Sequence, residues 1–159
     1  MNKQTVIQLV IEQIVRDLHG LVSSAKATHE EATHEQNKPE NKYDTRALEA
    51  SYLARGQSRQ LIELEKAKQE FESLDSVDWP PKTPVEIGAL LTLKNGSAED
   101  VYLLGPRAGG IEVVCAGTPV TVITPQSPIG QLLMGKVAGE SITLPQGREQ
   151  RRFKILRVQ

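Results

Sequence analysis

Residues 6–36 read VIQLVIEQIVRDLHGLVSSAKATHEEATHEQ. The apolar and small side chains fall at Ile7, Ile11, Ile14, Leu18, Leu21, Ala25, Thr28 and Ala32, in alternating steps of four and three. This is the heptad seam of a helix that lies along another helix. No proline interrupts it, and a helix of about 31 residues is about 46 Å long. A second seam runs through Ala47, Ala50, Ala54, Gln57, Leu61, Leu64, Lys68 and Phe71. Large residues come first in one seam and last in the other, so the two match when the chain doubles back. That predicts an antiparallel helical hairpin, thin at its tip and wider at its base. Leu18, Leu21, Leu61 and Leu64 are expected to be buried together in its shaft. Between the seams lies Asn37-Lys38-Pro39-Glu40-Asn41-Lys42-Tyr43-Asp44. Pro39 disfavours helix at Lys38, the asparagines suit a turn, and Asp44 suits the cap of the second helix.

Beyond Asp75 the punctuation changes. Pro80, Pro81 and Pro84 fall within five positions and predict a stiff, extended connector. The period then becomes strand-like over Ile87–Leu93, Val101–Leu104, Ile111–Cys115 and Val120–Thr124, separated by Asn95-Gly96 and Gly109-Gly110. A short helix fits Pro128–Gly135, with Ser127 as cap and Gly135 as stop. Strands at Ser141–Leu144 and Arg151–Val158 complete the pattern. The expected fold class is α+β: a helical hairpin over residues 1–76 with its tip at about 37–44, a proline-rich linker at 77–84, and a β-rich domain with one short helix over 85–159.

Composition narrows the function. Aromatic residues are 4% of the chain, too few for a base-stacking platform. A formal net charge of −1 argues against a free-standing nucleic-acid binder. The single cysteine, Cys115, excludes an internal disulfide and a multi-cysteine zinc site; within a strand it reads as a small core residue. Glu12, Arg16 and Asp17 break the pattern a secretory leader would need, and no apolar run approaches a membrane span, so the expected compartment is the cytoplasm. His29 and His34 are five apart, which places them on different helix faces, whereas a zinc-binding pair needs a spacing of four. Gly130 and Gly135-Lys136 lack P-loop spacing. The tip is acidic: Glu30, Glu31, Glu35, Glu40 and Asp44 stand against Lys38 and Lys42. Such carboxylates are either a solvated face or hard oxygen ligands for a magnesium ion.

The segment Ser127-Pro128-Ile129-Gly130-Gln131-Leu132-Leu133-Met134-Gly135-Lys136, followed by Ala138-Gly139-Glu140-Ser141, resembles the Gre family (GreA/GreB) of transcript cleavage factors. Val85-Glu86-Ile87-Gly88-Ala89 resembles the start of that family's C-terminal domain, and Phe153-Lys154-Ile155-Leu156-Arg157-Val158 its last strand. Gly109–Thr124 is longer than in the best-known members, with a hairpin-like stretch around Gly117. At the tip, Glu40 and Asn41 match the family motif, while Asn37 stands where the family has its first acid.

The resemblance implies an FK506-binding-protein-like (FKBP-like) fold for the second domain and RNA polymerase as partner. It implies docking through Ser127, Pro128 and Ile129 at the polymerase's secondary channel. The tip residues Asn37, Glu40, Asn41 and Asp44 would be delivered to the catalytic site, with Glu40 as a ligand of a magnesium shared with the polymerase. The chain itself would then be an accessory factor and not an enzyme, a monomer with no cofactor of its own, meeting nucleic acid only within the polymerase complex. Two alternatives stand beside cleavage stimulation: a non-cleaving regulator that occupies the channel, and a coiled-coil adaptor or FKBP-like interaction module.

Overall fold

The structure, a computed structural model, describes residues 1–33, 46–77, 79–80, 82–146 and 149–159. Helix α1 spans Lys3–Thr33 and α2 spans Arg46–Glu72. The strands are β1 (Leu90–Asn95), β2 (Ala98–Leu104), β3 (Glu112–Cys115), β4 (Thr118–Ile123), β5 (Ser141–Gln146) and β6 (Glu149–Val158), with α3 (Pro128–Leu133) between β4 and β5. This is the expected α+β class: an N-terminal helical part, then a mixed sheet with one short helix. The expected tip, residues 37–44, lies outside the described residues.

The chain divides into two compact units, one made of Met1–Gln13 with Gln69–Gln159, the other of Ile14–Lys68. The start of α1 and the end of α2 thus fold with the sheet, while the rest of both helices forms the second unit. Ile7, Ile14 and Phe71 are buried, and Ile11, Leu18, Leu21, Ala25, Gln57, Leu61, Leu64 and Lys68 are half-buried. The described members of both seams therefore face protein. Leu18, Leu21, Leu61 and Leu64 are nevertheless half-buried, not buried as expected. A helix paired with one other is covered from one side only, and the flanks of its seam stay wet.

The sheet order is β3-β4-β2-β1-β6-β5, antiparallel except for the parallel β2–β4 pair. One face packs Leu91, Leu93, Leu104, Ile123, Ile142, Phe153 and Ile155 with Leu133 of α3 and Val85. The alternate residues Leu90, Leu103 and Val122 are also buried. A Cβ on Gly105 would lie 2.5 Å from Cζ of the buried Phe71 and 3.0 Å from Val122 Cγ1. Only glycine lets the end of α2 approach the sheet so closely. Beside it, Arg107 Nε donates to Glu70 Oε1 at 2.9 Å. At the start of α1, Lys3 is 1% exposed, and its Nζ stands 4.4 Å from the centroid of the Trp79 ring. The lysine stem is covered while its charge meets the face of the indole.

Two local expectations change, and the hairpin expected around Gly117 is present. Strand β1 begins at Leu90 and not at Ile87, because Ala89 N–H closes a turn onto Glu86 O at 3.0 Å and Gly88 adopts φ +95°. The connector is not extended throughout: Thr83 N–H donates to Pro80 O at 3.1 Å, and Lys82 takes φ 71°. The stretch around Gly117 is a true hairpin, with Cys115 paired to Thr118 and both Ala116 (φ 50°) and Gly117 (φ 79°) left-handed. Two positive φ values in a two-residue loop define the turn type whose twist suits antiparallel strands.

Candidate functional site

The segment from Thr124 to Glu140 carries the sequence-predicted docking residues Ser127, Pro128 and Ile129. It is built around one carbonyl. Thr124 O accepts from Ser127 N at 3.0 Å and from Ser127 Oγ at 2.7 Å. Ser127 Oγ in turn accepts from Gly130 N at 3.1 Å, which is the expected helix cap. Pro128 occupies the first helical turn, where its missing N–H costs nothing. The helix closes when Met134 N donates to Gly130 O, and Gly135 (φ 74°) turns the chain away.

This short helix divides its residues cleanly. Leu133 and Gly130 are buried, and Ile129 and Leu132 pack on the core of the sheet. Pro128, Gln131 and Met134 are exposed. Of the three predicted docking residues, Ser127 is thus a cap, Ile129 is partly a core residue, and Pro128 is the one that faces outward. Sequence reasoning missed Met134, an apolar side chain 40% exposed at the helix end. It also missed the role of Gly130: a Cβ there would lie 2.0 Å from Thr124 O. A glycine inside a helical turn was the available signal.

The exit from α3 is fixed just as tightly. Gly135 N donates to Val85 O at 2.8 Å, and Val85 N donates to Lys136 O at 2.7 Å. Glu140 reaches back, with Oε2 accepting from Val137 N at 2.8 Å and Oε1 from Lys136 Nζ at 3.1 Å. The Val137 N–H, and after it the Lys136 ammonium, hold the Glu140 carboxyl below its ordinary range. On β2, burial, and to a lesser degree the charge of Asp100, pushes the Tyr102 hydroxyl upward.

The tip residues Asn37, Glu40, Asn41 and Asp44 lie outside the described residues. Among the described residues no group of His, Cys, Asp or Glu could hold a metal ion, and no helix is long and apolar enough to cross a membrane.

The stretch just described falls within the match to a family model. The model for the C-terminal part of transcription elongation factors GreA/GreB matches residues 80–159, just over half of the chain. The chain belongs to the GreA/GreB family of transcription elongation factors. Similar solved structures include GreA factor homolog 1 of Thermus thermophilus, 14% identical with a TM-score of 0.39, covering 94% of each chain. The same factor from Thermus aquaticus is 12% identical with a TM-score of 0.39, covering 92% of each chain. The GreA/GreB factor of Nitrosomonas europaea is 22% identical with a TM-score of 0.38, covering 70% of this chain and 91% of that one. No curated protein matches the chain at a significant level.

Proposed function

We propose that this chain binds RNA polymerase at the secondary channel and modulates backtracked or arrested complexes as an accessory factor. The observation that carries this reading is the family match over residues 80–159 together with the rigidly capped α3. In this reading the exposed Pro128 and Met134 meet the polymerase, while Ser127 and Gly130 hold them in place. The helical hairpin extends into the channel and delivers Asn37, Glu40, Asn41 and Asp44 to the catalytic site. There Glu40 would offer a carboxylate ligand to a magnesium ion held by the polymerase, and that ion would supply Lewis-acid chemistry for transcript cleavage by the polymerase's own residues.

One sequence feature favours a second reading. Asn37 replaces the first acid of the tip motif. An amide oxygen can face a cation but brings no charge, so the metal loses a full Coulombic partner. This favours a factor that occupies the channel and stimulates cleavage weakly or not at all.

Transcript cleavage in arrested elongation complexes separates the two. Weak or absent cleavage is expected of the natural protein, a gain with Asn37→Asp, and loss of any activity with Glu40→Ala at unchanged binding. Pro128→Asp with Met134→Asp should abolish binding while leaving the fold intact. A folded double variant that still competes for the channel would defeat the docking assignment. Strong natural cleavage that survives Glu40→Ala would transfer the role to another acid, such as Asp44 or Glu35.

A further inference from the structure

The sheet face that carries Leu90 and Leu103 at one end is basic at the other. Lys94 on β1 stands directly across from Lys154 on β6, and Lys94 also faces Glu99 on β2. Arg152, two residues from Lys154 on the same strand, faces Thr143, while Lys154 faces Ser141 on β5. Arg157 reaches the same face across from Thr92, after the register shift between Thr92 and Leu93. Lys94, Arg152, Lys154, Arg157, Ser141 and Thr143 are all exposed. Among the described residues none of the four cations forms a salt bridge.

Like charges directly opposite on neighbouring strands repel and weaken the pairing. Lys94 and Lys154 meet in this way, with Arg152 close by and Glu99 as the one acid. Alternate residues on a strand are about 6.8 Å apart, so Arg152 and Lys154 offer charges in a regular row. Hydroxyls of Ser141 and Thr143 stand beside them, and Arg, Lys, Ser and Thr are the side chains that hold phosphate oxygens. A protein partner would be anchored by buried aromatic or apolar groups with few charges among them. Here a single exposed large apolar side chain, Leu156, stands among the cations, between Lys154 and Arg157. The face lacks an aromatic for stacking on bases.

We propose that this face binds the phosphodiester backbone of single-stranded nucleic acid, without sequence preference, through Lys94, Arg152, Lys154 and Arg157. Binding is weak for the free protein, as a net charge of −1 requires. It becomes effective where a strand is already held nearby at high effective concentration. The inference does not depend on the proposed polymerase reading.

The test is fluorescence anisotropy of a labelled single-stranded RNA of about 20 nucleotides, longer than common site sizes of about 4–16. The full chain is titrated at several salt concentrations. Three to four phosphate contacts predict a slope of log Kobs on log salt of about −2 to −3, at about 0.7 per contact. Arg152→Glu with Lys154→Glu should weaken binding by about tenfold or more and flatten the slope by about 1.4. The variant relieves the Lys94–Lys154 repulsion, so it should melt no lower than the parent. Lys26→Glu, on α1, should leave binding unchanged. Undiminished binding by the double variant, or an equal loss with Lys26→Glu, would overturn the assignment. So would competition by polyglutamate as strong as by RNA, which would mark an acidic protein as the occupant, or tighter binding of a DNA duplex of equal length.

Discussion

Gly130→Ala is a substitution whose sign depends on the geometry of α3. In an unconstrained helix, alanine in place of glycine stabilises by about 1 kcal/mol. Here the new methyl would lie 2.0 Å from Thr124 O and 2.9 Å from Ser127 Oγ. Thr124 O cannot retreat freely, because Ser127 N and Oγ both donate to it. Accommodating the methyl means overpacking, at about 1–3 kcal/mol, and loss of the Ser127 cap, at about 1 kcal/mol. Set against the propensity gain, the expected net loss is about 1–3 kcal/mol. Trp79 is the only tryptophan and packs against the same core as Leu133, so its fluorescence reports this unit directly. In urea the midpoint should fall by about 0.5–1.5 M, for a slope of about 2 kcal/mol per M. Ser127→Ala alone should cost about 1 kcal/mol. Added to Gly130→Ala it should cost less than that, because the cap is already broken. A Gly130→Ala protein as stable as the parent, or more so, would refute the reasoning.

Leu61 is half-buried, so Leu61→Ala should cost about 1–2 kcal/mol, below the usual range of about 2–5 for buried leucine; a loss above that range, measured by helical circular dichroism, would mean a more enclosed shaft. Glu140 has its carboxyl held below the ordinary value of 4.5, so its stabilising contribution is complete above that value and is lost as pH falls through the lower, folded-state pKa. Glu140→Gln should therefore flatten the acid limb of a stability-versus-pH curve, and an unchanged limb would refute the assignment. A fragment beginning at Val77 lacks Phe71, Lys3 and the apolar start of α1, all of which fold with the sheet; it should bind a hydrophobic dye and melt without a sharp transition, and parent-like melting would contradict this.

The helices, the strand count and the Ser127 cap were legible because each rests on a local rule. Heptad spacing marked the seams, Asn95-Gly96 and Gly109-Gly110 marked turns, and Ser-Pro marked a helix start. The misread elements depended on partners distant in sequence. Ile87 to Leu93 alternates like a strand, yet Gly88 N–H is taken by Leu104 O and the chain turns before β1 begins. Gly105 gave no sign of its closeness to Phe71, since nothing local links residues 34 apart. The residues proposed for docking, Ser127, Pro128 and Ile129, were singled out as a motif. Their separate roles, with Pro128 outward and Ile129 inward, needed the packing of α3 on the sheet.

The division of the chain also has a physical trace in the sequence, though a heptad reading passes over it. A seam for one partner helix is narrow, whereas a helix packed against more than one element needs a wider apolar arc. At the start of α1 the arc is wide: Lys3, Val6 and Val10 are buried beside Ile7 and Ile14. After Val10 the second stripe stops, because its next members are Gln13 and Asp17, and beyond Ile14 the seam continues alone through Leu18, Leu21 and Ala25. The narrowing coincides with the boundary between the two units, at Gln13 and Ile14. The end of α2 behaves alike, with Ala67 and Phe71 buried where Leu61 and Leu64 are only half-buried. The width of the apolar arc therefore marks where each helix gains the sheet as a partner. It explains why residues at the very start of the sequence fold with those at its end, rather than with the helix they belong to.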